Sequence, residues 1–283
     1  VPPVSSTPVA LVAGSGGVIG RNVIEHFTRR GIRTRGVSRR QPAESDGWEH
    51  VAADLLDPAS THEAFTQAAD TTRLVFAAYI EKPDPVEQIE VNMELLHNTL
   101  DGLKATGAPV EHVTLYQGMK FYGAHLGNFK TPARENDPRL ILPNFYYDQE
   151  DWLREASRSA RWRWVNLIPP FVSGYAVGNP MNLVLGIGLY AAVCKELGMP
   201  LRFPGSVGAY EALHQIADAR QIGAAAAWAA DAPAAEDEAF NVTNGAPARW
   251  RHTWPVLAEA LGMADATLVQ RLRELQASEV LPA

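Results

Sequence analysis

Tyr147 stands in NFYYDQED (144–151) and Lys120 in QGMKFYG (117–123). A phenol can donate a hydrogen bond to a developing oxyanion, and an ammonium beside it stabilises negative charge. Where these two residues work together, the lysine commonly follows the tyrosine by four positions, but here Asp151 stands there. HVTLY (112–116) runs directly into QGMKFYG and reads as a strand, so Lys120 lies just past a strand's carboxyl end. In a doubly wound sheet that edge is where ligands bind. Tyr147 begins the next helix from the same edge, and a lysine from the loop could reach its hydroxyl. On spacing alone, Lys120 reads equally well as a surface lysine.

The second chemical signal is LVAGSGGVIG (11–20), in which Gly14, Gly17 and Gly20 lie between an apolar strand and an amphipathic helix. Glycine permits the tight turn and the close backbone approach, and the helix N-terminus then faces a pyrophosphate. Ser15, Gly16, Val18 and Ile19 complete this expected cofactor loop. The second strand ends at Ser38-Arg39-Arg40, where an NAD site would carry an acidic residue. Two arginines suit the 2′-phosphate of NADP, so NADPH is the expected cofactor. Within the basic run 29–40, Arg29 and Arg30 read as a solvated face. Asp54, with the Leu55 backbone, could bind the adenine edge or could satisfy loop amides; spacing leaves both open. Ala77 and Ala78 are small residues at a strand end, and Gln117, Gly118 and Pro169 border the same edge. Tyr79, Phe121 and Phe203 are candidates for an apolar substrate pocket, whereas Tyr146 reads as packing.

These residues need a frame. Strand-like runs at 9–14, 32–37, 50–55, 73–79, 112–116 and 162–168 alternate with helical patterns at 18–30, from Pro58, 86–106 and 148–157. That alternation predicts a Rossmann-type α/β fold, a doubly wound parallel sheet, with a smaller, mainly helical C-terminal substrate region. Residues 1–174 form the expected cofactor domain, with elements at about 210–244 returning to it. Residues 175–209 and 245–283 form the substrate-covering part. Helices are expected at 180–198, 211–230 and 251–261, and a strand at 240–244. The helix at 182–197 is apolar nearly all round, fitting a cover for a cavity and a homodimer contact.

The chain has 283 residues and a net charge of −7, which argues against a nucleic-acid surface. A single cysteine, Cys194, excludes a disulfide framework and fits a cytoplasmic protein. The histidines show no metal-ligand spacing, and no run reaches membrane-spanning length. The first residue is Val1, so the N-terminus is expected to be processed or partly represented.

The chain resembles the progesterone 5β-reductase/iridoid synthase-like enone reductases, atypical members of the short-chain dehydrogenase/reductase superfamily. The resemblance rests on GVSRR (36–40), ADLLDP (53–58), Gly118/Lys120/Tyr122, NFYYDQED, YAAVCKELGMPLRFPG (190–205) and EAFNVTNGAPARWRHTWPVLAE (238–259). It implies Tyr147 and Lys120 as the catalytic pair and NADPH-dependent 1,4-reduction of a small hydrophobic enone or enal. Met119 stands where that family has a basic residue, IPP (168–170) lacks its arginine, and the family usually continues beyond this chain's end. Alternative readings are a 1,2-carbonyl reductase on the same fold and a non-enzymatic NADP-sensing regulator.

Overall fold

A computed structural model describes residues 7–42, 45, 47–177 and 182–265. The order along the first part is β1 (Val9–Ala13), α1 (Val18–Arg29), β2 (Arg33–Ser38), β3 (Glu49–Ala52), α2 (Pro58–Phe65), β4 (Arg73–Phe76), α3 (Pro85–Ala105), β5 (His112–Tyr116), α4 (Phe145–Ser157), β6 (Arg163–Ile168) and β7 (Phe171–Ser173). There follow α5 (Leu183–Glu196), α6 (Val207–Glu211), β8 (Leu213–His214), β9 (Ile216–Asp218), α7 (Ala219–Asp231), β10 (Glu238–Asn241), β11 (Ala248–Arg249) and α8 (Trp250–Ala260). The chain divides into two compact units, residues 1–179 with 217–243, and residues 180–216 with 244–283.

The first unit is built on a parallel seven-stranded sheet in the order β10-β6-β5-β4-β1-β2-β3. Strand side chains alternate between two cores because the side-chain period is two. Leu11 and Ala13 enter one core with Phe65, Leu96, Leu103 and Trp164, while Ala10 and Val12 enter the other with Ile24, Phe27, Ile222 and Ala226. A sheet buried on both faces requires the near-continuous apolar strands seen in VALVA and HVTLY. Its carboxyl edge carries the glycine loop and the segments after β4, β5 and β6.

Local chemistry sets the helix starts. Asp57 and Asp84 accept hydrogen bonds from the first-turn amides of α2 and α3, and proline follows each as the first helical residue. Asn144 caps α4 in the same way, so that helix starts at Phe145, two residues before the expected start at Tyr147. The fourth strand stops at Phe76, leaving Ala77, Ala78 and Tyr79 in the following loop. The helix expected over 211–230 begins only at Ala219. Asp218 caps it, and residues 213–218 before it are mostly extended.

The second unit has a small aromatic core: Phe203 packs on Tyr210, Trp250 and Trp254. The indole N–H of Trp254 donates to the Leu201 carbonyl at 3.1 Å, which satisfies its one polar atom in that core. The start of the helix expected over 180–198 lies partly outside the described residues; α5 runs from Leu183.

Candidate active site

The loop from β1 to α1 has the geometry of an anion cradle. Gly14 has a φ of +86°, and a Cβ there would lie 2.6 Å from the Ala77 carbonyl oxygen. A Cβ on Gly20 would lie 2.3 Å from the Gly14 carbonyl oxygen, so both positions need glycine. A Cβ on Gly16, by contrast, would meet nothing within 4 Å, so that residue faces open space. The backbone N–H groups of Gly14 and Ser15 are held by the Val37 carbonyl, both at 3.1 Å. Gly17 is the N-cap of α1 and supplies no side-chain cap, leaving the first-turn amides, including those of Val18 and Ile19, to an outside acceptor. The Ser15 hydroxyl is buried and lacks a partner among the described residues. An uncapped helix start, an orphaned hydroxyl and two glycines that nothing else could replace fit a dinucleotide's phosphates.

At the next strand end, the Ser38 hydroxyl donates to the Arg40 carbonyl at 2.9 Å and lies 2.9 Å from His50 Nε2. His50 carries no signal in the sequence, yet it braces this turn. Arg39 and Arg40 are exposed, and among the described residues neither makes an ion pair. The rest of the basic run is spent differently. Arg33 and Arg35 bridge Glu49 and Asp70, and the Arg35 side chain is only 4% exposed. Asp54 is exposed; one of its oxygens accepts the Leu56 amide at 3.1 Å, while Leu55 is buried.

Lys120 lies in a short helical turn, Met119–Tyr122, after β5. Its ammonium donates to the Tyr79 hydroxyl at 3.1 Å and to the two Glu81 carboxylate oxygens at 2.9 and 3.1 Å. Tyr79 in turn donates its proton to Glu81 and stacks on Phe145, the ring centroids 5.6 Å apart. Burial, and then the bond to Glu81, raise the Tyr79 phenol well above its ordinary value. Burial opposes ionisation of Glu81, but the hydrogen bonds from Tyr79 and Lys120 outweigh it and hold the carboxyl below its usual range.

The two tyrosines of NFYYDQED face different ways. The Tyr147 hydroxyl donates to the Phe121 carbonyl at 2.5 Å and accepts from the Leu140 amide at 3.2 Å, and the Arg139 guanidinium lies over its ring. The structure thus does not bring the Tyr147 hydroxyl to Lys120. Phe121 is buried in that same cluster. It is Tyr146 that turns to the ligand edge. Its hydroxyl lies 3.2 Å from where a Gly118 Cβ would sit, a position also 3.7 Å from the Pro169 carbonyl oxygen. Among the described residues no group hydrogen-bonds that hydroxyl. Burial, then the negative charge of Glu81, raise its pKa.

The scaffold under Tyr146 is a chain of amides. Gln117 donates to the Tyr146 carbonyl at 2.5 Å, Asn166 donates to Gln117 at 2.7 Å and to Glu150 at 3.2 Å, and Asn144 donates to the Lys120 carbonyl at 2.8 Å. Glu150, four residues after Tyr146, is buried and paired with Arg139 and Arg154. Asp151 pairs with Arg139 at 2.8 Å on the exposed side of α4. Sequence reasoning missed Glu81 and Tyr146. For Glu81, the available signal was a charged residue between a strand end and the Asp84 cap. Phe203 lies in the second unit, in the aromatic core described above. Among the described residues no group of side chains could hold a metal ion, and no helix is long and apolar enough to cross a membrane.

Comparisons of the sequence with known proteins agree on one family. An (S)-8-oxocitronellyl enol synthase from Camptotheca acuminata is 33% identical over 94% of this chain and 74% of its own. A 3-oxo-Δ4,5-steroid 5-beta-reductase from Arabidopsis thaliana is 31% identical over 93% of this chain and 72% of its own. Among solved structures, a Thermus thermophilus UDP-glucose 4-epimerase in complex with NAD superposes with a TM-score of 0.73 at 22% identity, covering 92% of this chain and 85% of its own. That likeness supports the Rossmann-type architecture. The family model described as a PRISE-like Rossmann-fold domain matches residues 52–273, and the chain belongs to that family.

Proposed function

We propose that this protein is an NADPH-dependent reductase of activated C=C bonds, acting on small hydrophobic enones or enals by 1,4-addition. The observation that carries this reading is an unpartnered Tyr146 hydroxyl against Gly118 on the ligand edge, two positions before Lys120, whose ammonium is already ordered by Tyr79 and Glu81. The enol synthase and steroid reductase relatives support it. Gly14, Ser15, Gly16, Gly17, Val18, Ile19 and Gly20 would hold the cofactor's pyrophosphate. Ser38, Arg39 and Arg40 would hold its 2′-phosphate, and Asp54 and Leu55 its adenine. Ala77, Ala78, Gln117, Gly118 and Pro169 would border its ribose and nicotinamide. When bound, the reduced nicotinamide supplies a hydride to an electron-poor alkene carbon.

The chain's own residues then deal with charge. Negative charge develops on the substrate's carbonyl oxygen, and a fixed O–H donor aimed at it lowers the barrier. Tyr146 is the donor that we assign. A phenol is protonated at neutral pH, as a donor requires, and burial only strengthens that. Lys120, in the turn just after Gly118, would hold the nicotinamide ribose. Protonation of the α-carbon from solvent needs no second acid.

The test is NADPH oxidation with cyclohexenone and a panel of enals, with product analysis. A saturated ketone supports 1,4-reduction, and an allylic alcohol would move the assignment to carbonyl reduction. Tyr146→Phe should lower kcat about 100-fold, since one oxyanion donor is worth a few kcal/mol. Tyr147→Phe should retain most of kcat and lose stability, because its hydroxyl serves the 121–140 segment. The opposite pattern would return the role to Tyr147. NADPH binding with no turnover across the panel would end the enone reading.

A further inference from the structure

His50 has no part in the cofactor contacts named above, yet its ring reaches into the turn that carries Arg39 and Arg40. It lies on β3, opposite Gly36 of β2. Its Nε2 is 2.9 Å from the Ser38 hydroxyl oxygen and 3.2 Å from the Ser38 carbonyl oxygen. The Ser38 hydroxyl also lies 2.9 Å from the Arg40 carbonyl oxygen. Proton counting settles the direction of every bond. A carbonyl oxygen only accepts, so the one Ser38 proton goes to Arg40, and Nε2 must carry a proton to meet the Ser38 carbonyl. The donors therefore run from His50 to Ser38 and from Ser38 to Arg40. The Ala53 amide donates to the same Ser38 carbonyl at 3.3 Å. Trp48 stands edge-on to the imidazole, the centroids 6.3 Å apart at 80°. It fills the space that Gly36 leaves, since a Cβ there would lie 2.4 Å from Trp48 Cζ3.

We propose that His50 is a positioning residue for the cofactor's 2′-phosphate: by donating to Ser38 it locks the turn that aims Arg39 and Arg40. The proposal rests on the NADPH reading above and deepens it. Ser38 has spent its hydroxyl proton on Arg40. It therefore serves a phosphate through the shape of the turn and leaves the charge to the two guanidiniums. Both arginines are exposed, and each long side chain loses rotamer freedom when it grips an anion. A turn whose backbone is already pinned at Ser38 and Arg40 leaves less to be ordered on binding. His50 thus acts on affinity without touching the ligand. A ribose with a free 2′-hydroxyl does not use the arginines, so the brace bears on NADP and not on NAD.

The experiment is calorimetric titration of the whole chain with oxidised NADP and NAD, which needs neither substrate nor turnover. His50→Phe keeps a ring beside Trp48 and loses the donor, whereas His50→Gln loses the ring and keeps an N–H at similar reach. In His50→Phe, NADP affinity should fall about tenfold, the upper end of what one ordinary hydrogen bond is worth, with NAD affinity changed by less than about twofold. His50→Gln should stay within about threefold of wild type for both ligands. In a chain already carrying Arg39→Ala and Arg40→Ala, His50→Phe should have no further effect on NADP, because it acts through those two side chains.

An NADP-to-NAD affinity ratio in His50→Phe equal to that of wild type overturns the proposal. So does an equal loss in His50→Phe and His50→Gln, or a loss that persists undiminished without the arginines. Each of those results assigns the imidazole to support of the sheet edge alone. His50→Leu, with circular dichroism confirming the fold, takes the place of His50→Phe if that variant does not fold. A wild type that binds NADP no more tightly than NAD would instead refute the NADPH reading, and this proposal with it.

Discussion

At the residue scale, adjacent side chains on one helix divide the labour. Tyr146 and Tyr147 lie about 100° apart around α4, so one can face the ligand edge only if the other does not. Which one does so depends on where the helix begins. Asn144 fixes that start, two residues before Tyr146. Sequence spacing starts the helix at Tyr147 itself, two residues late, and so leaves the rotation of the pair undetermined. Lys120 was readable because it follows a strand without interruption. Glu81 was not, because Lys120 lies 39 residues away in sequence and only the sheet brings the two together. Arg39 and Arg40 give the cleanest test at this scale. Replacing both with alanine should weaken NADPH binding by about 100-fold, since each charge-assisted bond to a phosphate is worth about 1.5 kcal/mol or more. NADH binding should change by less than about threefold. Nicotinamide fluorescence titration measures both, and equal losses would remove the 2′-phosphate from their account.

At the element scale, the loops that carry chemistry are tied to helix starts that sequence reveals well. Asp57-Pro58 and Asp84-Pro85 announce α2 and α3, and the structure places both caps there. The stretch 213–218 is harder to read, because alanine-rich sequence after it suggests a helix that Asp218 in fact starts later. Asn144 does more than cap: it also donates to the Lys120 carbonyl at 2.8 Å. Asn144→Ala and Asp84→Ala should each cost about 1 kcal/mol of stability, as lost N-caps do. Only the first should also lower kcat, by about tenfold, because it frees the Lys120 turn. Thermal denaturation and steady-state kinetics on the pair separate capping from positioning. Equal kinetic effects would deny Asn144 any role beyond its cap.

Across the whole molecule, the sheet is stabilised by groups that dislike acid. His112 is buried at the amino end of β5, 3.1 Å from the Thr114 hydroxyl. Burial, then Arg73, lower its pKa from 6.5 to about 4. The folded value lies below the unfolded one, so its contribution is complete above pH 6.5 and is lost as pH falls toward 4. That loss is at most about 3 kcal/mol. Asp70 and Glu49 extend the trend, since both carboxyls are held below their usual values, Asp70 chiefly by its bond to Arg35 and Glu49 by bonds from Arg33 and Arg35 against its burial. Urea unfolding at pH 7 and pH 5 should show lower stability at pH 5, and His112→Gln should flatten that difference. An unchanged slope would place the acid sensitivity elsewhere.

The parallel sheet has one more consequence, for anyone who wishes to hold the protein rather than study it. All the chemistry described lies at the carboxyl edge. The opposite edge of this unit, where α3 and α4 end and β5 and β6 begin, presents an open groove lined by Leu100, Gly107, Trp152, Arg161 and Trp162. A linker, a fluorescent label or a resin attached near residues 107–111 or 159–162 would grip the molecule from behind. The working edge would then face the reaction mixture, so an immobilised preparation should keep its cofactor affinity.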